Sequence, residues 1–350
     1  MSKFHQLPIA SIEKETENAV SISFQVPEEL RSIFRFKAGQ YLTLKTFLNG
    51  EEVRRDYSIC THPESEMLKV VVKEVLGGKF SKYANNELKA GDILEVAPPN
   101  GRFVFEADAS KNRTVLAFAA GSGITPVIGI VKTVLIEEPQ SKIVLLYGNK
   151  TPKDTIFLDE LNELSRKFED RFQLKMIFSK ANESNALFGR IESSSVNYVV
   201  NSISDKIDAT YICGPEPMIH AVSETLQERG MKKEDIKYEL FTPAKSTEEP
   251  KETKETEGQT QVTVLVDDEE ASFNMPRNKT ILEVALDHNI DAPYSCQGGI
   301  CSSCVARLKS GKVEMRQNNI LTDGELAEGL ILTCQSEPRT SEISVDYDDV

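Results

Sequence analysis

Cys296-Gln297-Gly298-Gly299-Ile300-Cys301-Ser302-Ser303-Cys304 decides how the chain is read, together with Cys334, which follows after 29 residues. The spacing C-x4-C-x2-C…C is the plant-type pattern for a [2Fe–2S] cluster. Iron takes four soft thiolate ligands there, and three of them come from one tight loop. Gly298 and Gly299 suit such a loop, because a residue without Cβ reaches positive φ cheaply and lets backbone N–H groups approach sulfur. The competing reading is zinc, but zinc loops run C-x2–4-C in two pairs, and here the fourth cysteine stands alone. Cys296, Cys301, Cys304 and Cys334 are therefore the expected metal ligands. A cluster of this kind passes electrons singly, so the rest of the chain should hold their source.

The 350 residues suffice for two or three domains, and 39% apolar with 27% charged side chains is an ordinary globular composition. The start, Met-Ser-Lys-Phe-His-Gln, has no apolar signal-peptide core. The uncharged run Val115 to Val131 is broken by Gly121-Ser122-Gly123 and Pro126 and is short for a membrane span. With four of six cysteines expected on iron, a cytoplasmic setting and no membrane association are expected. Net charge is −14, and residues 261–350 alone carry 7 basic and 16 acidic side chains. Acid gathered beside the cluster argues against nucleic acid, which needs a basic face. It suits docking on a basic protein, and equally it suits plain solubility.

Residues 7–105 read as short strands, among them Val20 to Phe24, Tyr41 to Leu44 and Leu68 to Val72, punctuated by Pro, Gly and Asn. So many short strands predict an antiparallel barrel. A helical pattern competes only from Lys79 to Leu88. Two stretches of this region carry chemistry. Arg55-Asp56-Tyr57-Ser58 offers a guanidinium for phosphate, a ring face and a hydroxyl. Gly77-Gly78-Lys79-Phe80-Ser81 precedes the helical stretch, where free N–H groups bind phosphate; a tight turn is the plainer reading of the glycine pair.

From Thr114 the pattern becomes α/β. Val115 to Ala120 reads as a buried parallel strand, followed by Gly121-Ser122-Gly123-Ile124-Thr125-Pro126 and an apolar helix from Val127 to about Ile136, with Pro126 in the first helical position. Strand, glycine turn and helix in that order predict a dinucleotide phosphate loop, although the usual third glycine is missing. Strands are expected at Ile143 to Tyr147, Phe172 to Phe178, Thr210 to Cys213 and Lys237 to Phe241, with helices near Phe157 to Phe168 and Glu216 to Arg229. Residues 243–260 hold no large apolar side chain and should form a mobile linker. Beyond them a hairpin, Val262 to Val266 with Ala271 to Met275, and a helix from Thr280 to His288 lead into the cysteine loop.

These motifs, in this order, resemble the ferredoxin–NADP reductase superfamily, in the class with a C-terminal plant-type ferredoxin domain. The resemblance implies a multidomain chain: an antiparallel β-barrel flavin domain (1–108), an α/β parallel-sheet NAD(P)H-binding domain (109–242), the linker (243–260) and a β-grasp (α+β) ferredoxin domain (261–350). Gly50 to Arg55, Tyr57 to Cys60, Leu145 to Asn149 and Gly189-Arg190-Ile191 further resemble the reductase subunits of phenylacetyl-CoA epoxidases. The resemblance implies that Arg55 pairs with the flavin diphosphate, Tyr57 stacks on the flavin ring and Ser58 hydrogen-bonds its N5. By the same resemblance Gly78, Phe80 and Ser81 cradle phosphate, while Gly121, Gly123 and Thr125 hold the pyrophosphate of NAD(P)H. Cys213, in Cys213-Gly214-Pro215, would lie near the nicotinamide; a small core residue ending a strand is its alternative. Cys60 reads as packing, and His5, His62, His220 and His288 show no metal spacing.

Ser179-Lys180, after the strand at Phe172, stands where NADP-using relatives carry Ser-Arg, and no acid follows Tyr147 until Asp154. An NAD site places a carboxylate on the ribose and an NADP site a cation, so NADPH is expected. The glycine loop suits the phosphate of FAD or FMN, and FAD comes from the resemblance. The expected activity is electron transfer from NADPH through FAD and [2Fe–2S] to a partner oxygenase, by resemblance a di-iron phenylacetyl-CoA epoxidase. The alternatives are the reductase of another oxygenase or hydroxylase, and a redox carrier or sensor of low turnover.

Overall fold

The computed structural model describes residues 4–65, 67–241 and 258–350. They form two compact units that divide between Thr242 and Pro243.

The first unit begins with six strands: β1 His5–Thr16, β2 Ala19–Phe24, β3 Tyr41–Leu48, β4 Glu51–Ser58, β5 Leu68–Lys73 and β6 Ile93–Val96. They pair antiparallel in the order β4-β3-β6-β1-β2-β5. Ile59, just past β4, bridges Val70 in β5 and so brings the two ends of the sheet together. The predicted barrel is thus present, with Ile22, Phe24, Leu42, Leu44, Val70 and Val72 inside it. Helix α1, Lys79–Asn86, adds Phe80 and Ala84 to that core.

The same unit continues into a wholly parallel sheet. Its strands are β7 Thr114–Ala120, β8 Lys142–Asn149, β9 Phe172–Phe178, β10 Leu187–Phe188, β11 Ile207–Gly214 and β12 Ile236–Leu240, in the order β10-β9-β8-β7-β11-β12. β7 lies centrally and is buried almost throughout, as a two-sided parallel strand must be. Helices α2 Ile124–Glu137, α3 Leu158–Lys167, α4 Ser193–Asn201 and α5 Glu216–Glu228 connect the strands. Two details differ from expectation. α2 starts at Ile124, so Pro126 is its third residue rather than its first. The first four N–H groups of a helix have no intrahelical acceptor, so a proline there sacrifices no bond. α4 is absent from the sequence pattern, because Ser193-Ser194-Ser195 reads as loop; a capping box between Glu192 and Ser195 starts it.

α2 also fixes the barrel against the sheet. A Cβ on Gly129 would stand 3.2 Å from the carbonyl oxygen of Ile59 and 3.5 Å from that of Thr61. Three residues on, Lys132 Nζ donates to the Cys60 carbonyl at 2.9 Å. The helix therefore lies directly on the backbone that leaves β4. Cys60 is fully buried there, and burial pushes its thiol up to about 12, as suits a packing residue.

The second unit is a mixed sheet of β13 Gln259–Val266, β14 Glu269–Pro276, β15 Val305–Ser310, β17 Leu330–Leu332 and β19 Glu342–Asp346, in the order β14-β13-β19-β15-β17. β16 Val313–Met315 and β18 Ser336–Pro338 form a small separate ladder. β13 and β19 run parallel, and the other pairs of the larger sheet are antiparallel. Helix α6, Ile281–Asp287, packs Ile281, Leu282, Val284 and Ala285 into the core under the sheet, and α7 is a short turn at Asp323–Ala327. One helix on a mixed sheet is the expected β-grasp. β13 starts inside the expected linker: Thr260 is fully buried, and its hydroxyl donates to the Thr340 carbonyl at 2.6 Å. The remainder of that segment, 243–257, lies outside the described residues.

Gly129→Val would force α2 off the Ile59 and Thr61 carbonyls. Overpacking of this sort costs about 1–3 kcal/mol, so a lower urea midpoint and weaker flavin retention are expected together. A variant with the wild-type midpoint would mean that the helix is not pinned there.

Candidate functional site

β4 delivers three of the expected residues to one end of the barrel. Arg55 is exposed, Tyr57 half-buried and Ser58 buried, with Tyr57 opposite Leu42 and Ser58 opposite Tyr41 across the ladder. The Tyr57 ring lies 5.5 Å from that of Phe80, tilted by 34°. Phe80 belongs to α1, so the two expected flavin motifs meet. Gly78 precedes that helix, and a Cβ on it would stand 2.3 Å from Ser81 Oγ and 2.6 Å from Val75 Cγ2. A side chain would fill the cradle, which is what a backbone meant to approach phosphate requires. The Ser81 hydroxyl accepts from the Val75 N–H at 3.2 Å and holds the turn.

The second loop leaves β7. Gly121 has φ of 55° and Gly123 ends a tight 3-10 turn. A Cβ on Gly123 would stand 2.1 Å from the Cys213 carbonyl oxygen, so only glycine fits against β11. The Tyr147 hydroxyl, from fully buried Tyr147, donates to the Gly121 carbonyl at 3.0 Å, and Thr125 Oγ1 donates to the Ser122 carbonyl at 3.1 Å. Lys73, at the end of β5, has no motif in the sequence to mark it. A Cβ on Gly121 would stand 3.6 Å from its Nζ, so the barrel supplies an amine to the glycine turn. Burial, and then the charge of Lys150, lower its pKa.

The C-terminal ends of three neighbouring strands gather cations. The Ser179 N–H donates to the Asn149 carbonyl at 3.0 Å, Lys180 N–H to the Lys150 carbonyl at 2.9 Å, and Gly189 N–H to the Phe178 carbonyl at 2.9 Å. Lys150, Lys180 and Arg190 therefore project from adjacent positions after β8, β9 and β10, all exposed.

Between the two loops the structure adds Glu239, which the sequence pattern marks only as part of a last strand. β11 and β12 run parallel with Cys213 beside Glu239. Ser58, from the barrel, hydrogen-bonds the same carboxyl group. Glu239 Oε2 is buried and has no hydrogen-bond partner among the described residues. Burial, and secondarily the charge of Asp56, push the carboxyl up to about 8, against the opposing bond from Ser58. Cys213 is fully buried, and burial raises its thiol well above the usual range. The available signal is a lone acid in a strand flanking the Cys213-Gly214-Pro215 turn.

In the second unit the ladder assembles the cysteines. β15 pairs with β17, Val305 opposite Leu332, which sets Cys304 beside the segment leading to Cys334. The Thr333 N–H and hydroxyl both donate to the Cys304 carbonyl, at 3.1 and 2.9 Å. The thiols form two contacting pairs, Cys296 with Cys301 and Cys304 with Cys334. Among the described residues no three Cys, His, Asp or Glu side chains converge as for a single ion. Two dithiol pairs match a two-iron cluster better than a mononuclear site. The Cys296 thiol is pulled down to about 6, chiefly by Cys301 and, against burial, by the N–H groups of Gly298, Ile300 and Cys301. The Gly298 N–H is 3.3 Å from Cys296 Sγ. Ser295 Oγ, also buried, has no partner among the described residues. Donors that favour the thiolate at Cys296 and Cys334, and an unsatisfied hydroxyl beside the cysteine loop, fit an iron–sulfur group.

Comparison with known proteins follows the same division. Residues 6–105 match the oxidoreductase FAD-binding domain, 118–224 the oxidoreductase NAD-binding domain and 264–339 the 2Fe-2S iron-sulfur cluster binding domain. One component of the 1,2-phenylacetyl-CoA epoxidase of Escherichia coli (strain K12) is 39% identical over 99% of both chains. The chain belongs to the ferredoxin–NADP reductase superfamily, in the class with a C-terminal ferredoxin domain. The ferredoxin reductase component of the 3-ketosteroid-9-alpha-monooxygenase of Rhodococcus rhodochrous is 32% identical, over 97% of this chain and 96% of its own. A solved phthalate dioxygenase reductase superposes with a TM-score of 0.62 at 25% identity, over 98% of both chains. This reductase is therefore an oxidoreductase of the oxygenase-coupled kind, with FAD-binding, NAD-binding and 2Fe-2S domains. Among its described residues no helix is long and apolar enough to cross a membrane.

Cys334→Ala should remove the cluster while leaving flavin bound, because it leaves Cys304 without its thiol partner in the second unit. Iron, sulfide and flavin assays on the purified variant check this. Full iron and sulfide content would exclude Cys334 as a ligand.

Proposed function

We propose that this reductase takes hydride from NADPH at the edge formed by Ser58, Cys213 and Glu239, and delivers electrons singly, through its four cysteines, to a phenylacetyl-CoA epoxidase. The observation that carries the reading is the pairing of two sites in one chain: Ser58, Cys213 and Glu239 brought together between two glycine loops, and a four-thiol site. A flavin, when bound, accepts electrons as a pair and releases them singly, and a [2Fe–2S] cluster carries them one at a time. In this reading residues 1–108 hold FAD, 109–242 the nicotinamide nucleotide and 261–350 the cluster, joined by 243–260, in the cytoplasm.

The residues divide the work. Arg55 is exposed in the second half of β4, where its planar fork suits a diphosphate. Gly78, Phe80 and Ser81 form the cradle, and Tyr57 offers a ring face. Gly121, Gly123 and Thr125 shape the pyrophosphate loop, with the Lys73 amine beside it. Cys213 packs as a small wall where the nicotinamide would lie. Ser58 presents a hydroxyl to the reacting edge, and Glu239 holds a proton behind it. Lys150, Ser179, Lys180 and Arg190 favour a 2′-phosphate, and hence NADPH, because no carboxylate follows β8 until Asp154.

Glu239 yields a pH prediction. With its carboxyl raised to about 8, it is neutral at pH 7 and ionises above that value. An anion behind Ser58 would oppose the arrival of hydride, so kcat/KM for NADPH with ferricyanide should fall as pH rises through about 8. Glu239→Gln cannot ionise and should flatten that limb. A limb unchanged in the variant would assign the titration to another group.

The choice of acceptor rests on the 39% identity to the epoxidase component, against 32% to the ketosteroid monooxygenase component. Purified reductase mixed with each oxygenase should couple NADPH consumption to product with the epoxidase, and should use NADH less well. Coupling to the steroid enzyme alone would overturn the proposed partner. Slow NADPH oxidation even with ferricyanide would favour a carrier or sensor.

A further inference from the structure

Gln335, directly after the last cysteine, is 6% exposed. Its Nε2 lies 3.0 Å from the Gln297 carbonyl, 3.0 Å from the Cys334 carbonyl and 3.5 Å from Cys334 Sγ. Carbonyl oxygens only accept, so the amide must turn its N–H groups toward this cluster of acceptors. Gln317 approaches from elsewhere in the unit, and its Nε2 donates to the Gly298 carbonyl at 2.7 Å. A Cβ on Gly299 would stand 3.0 Å from Gln335 Cγ and 3.3 Å from Gln317 Cγ, so the ligand loop is packed against both glutamines. Gln297 and Gly299, with φ of 52° and 69°, hold left-handed conformations in that loop.

We infer that Gln335 is a positioning residue that ties the fourth ligand to the loop of the other three and eases acceptance of an electron by the site. The inference rests on the [2Fe–2S] reading above. Two N–H groups serve three acceptors, and they do two things. The bond to Gln297 joins segments 38 residues apart, one carrying Cys334 and the other Cys296, Cys301 and Cys304. The contact with Cys334 Sγ is weak for a thiol and strengthens once the sulfur carries thiolate charge. It strengthens again when the cluster gains an electron, so it favours the reduced form; hydrogen bonds to sulfur are among the levers that set such potentials. Burial keeps water from taking its place. Gln317 reaches a carbonyl and no ligand sulfur, which makes it the internal control.

The test uses the full chain reconstituted with iron and sulfide, in the wild type and as Gln335→Met, Gln335→Glu and Gln317→Met. Iron and sulfide are assayed, and the midpoint potential is read by EPR-monitored titration. Gln335→Met should keep its cluster and shift to a more negative midpoint, by roughly a threefold to tenfold change in the one-electron equilibrium, tenfold being 59 mV. Gln335→Glu, which adds a negative charge and no donor, should shift further the same way. Gln317→Met should keep the wild-type midpoint. A fully loaded Gln335→Met at the wild-type midpoint would overturn the inference, as would an equal shift in Gln317→Met. If Gln335→Met cannot hold a cluster, the wild type labelled with 15N in its glutamine side chains decides. Pulsed EPR of its reduced form should show coupling to an amide nitrogen that Gln317→Met retains, and absence of that coupling overturns the inference. A wild type that binds neither iron nor sulfide would remove the cluster reading itself.

Discussion

No side chain can stand at Gly123. The end of β7 turns so tightly against β11 that a Cβ would overlap the Cys213 carbonyl. That contact joins the glycine loop to the strand carrying Cys213, and the parallel register passes the constraint on to Glu239 in β12. The barrel is brought to the same place by α2, whose Gly129 rests on carbonyls just beyond Ser58. Two glycines on one loop–helix segment thus help to bring together Ser58, Cys213 and Glu239, which come from three different strands.

The four-thiol site meets the same demand by another route. Its cysteines come from a loop and from just beyond β17, and antiparallel pairing of β15 with β17 sets Cys304 beside the segment leading to Cys334. Thr333 reinforces the pairing by donating twice to one carbonyl, that of Cys304. Left-handed residues in the loop then expose N–H groups to sulfur.

Local pattern tells most of the fold. β7 and the helix after it, the strands at 143–147 and 172–178, the hairpin at 262–275 and the cysteine loop are all set by burial period, glycine placement or ligand spacing. What escapes local pattern is set by distant partners. Glu239 looks ordinary within Ile236 to Leu240, and only the register with Cys213 and the approach of Ser58 from the barrel mark it out. Lys73 ends an unremarkable strand, and its value lies in reaching the turn at Gly121. α4 is hidden because three serines favour loop until Glu192 caps them. Pro126 looks like a helix start because its local rule cannot see the 3-10 turn that supplies an earlier one.

Glu239 and Cys296 show one device used in opposite directions. Both acids are largely withdrawn from water, and burial alone would keep both protonated. Around Glu239 burial acts first, the charge of Asp56 adds to it and the Ser58 bond opposes it, so the carboxyl is pushed up to about 8. Around Cys296 the neighbouring Cys301 thiol and three backbone N–H groups outweigh burial, and the thiol is pulled down to about 6. Depth pushes both groups toward their neutral forms, and the donors aimed at each atom decide whether that push is outweighed. In the proposed function, a neutral acid at Glu239 does not repel incoming charge, and thiolates at the cysteines suit iron. The contrast lies in what opposes burial: backbone N–H groups and a neighbouring thiol at Cys296, the Ser58 hydroxyl at Glu239.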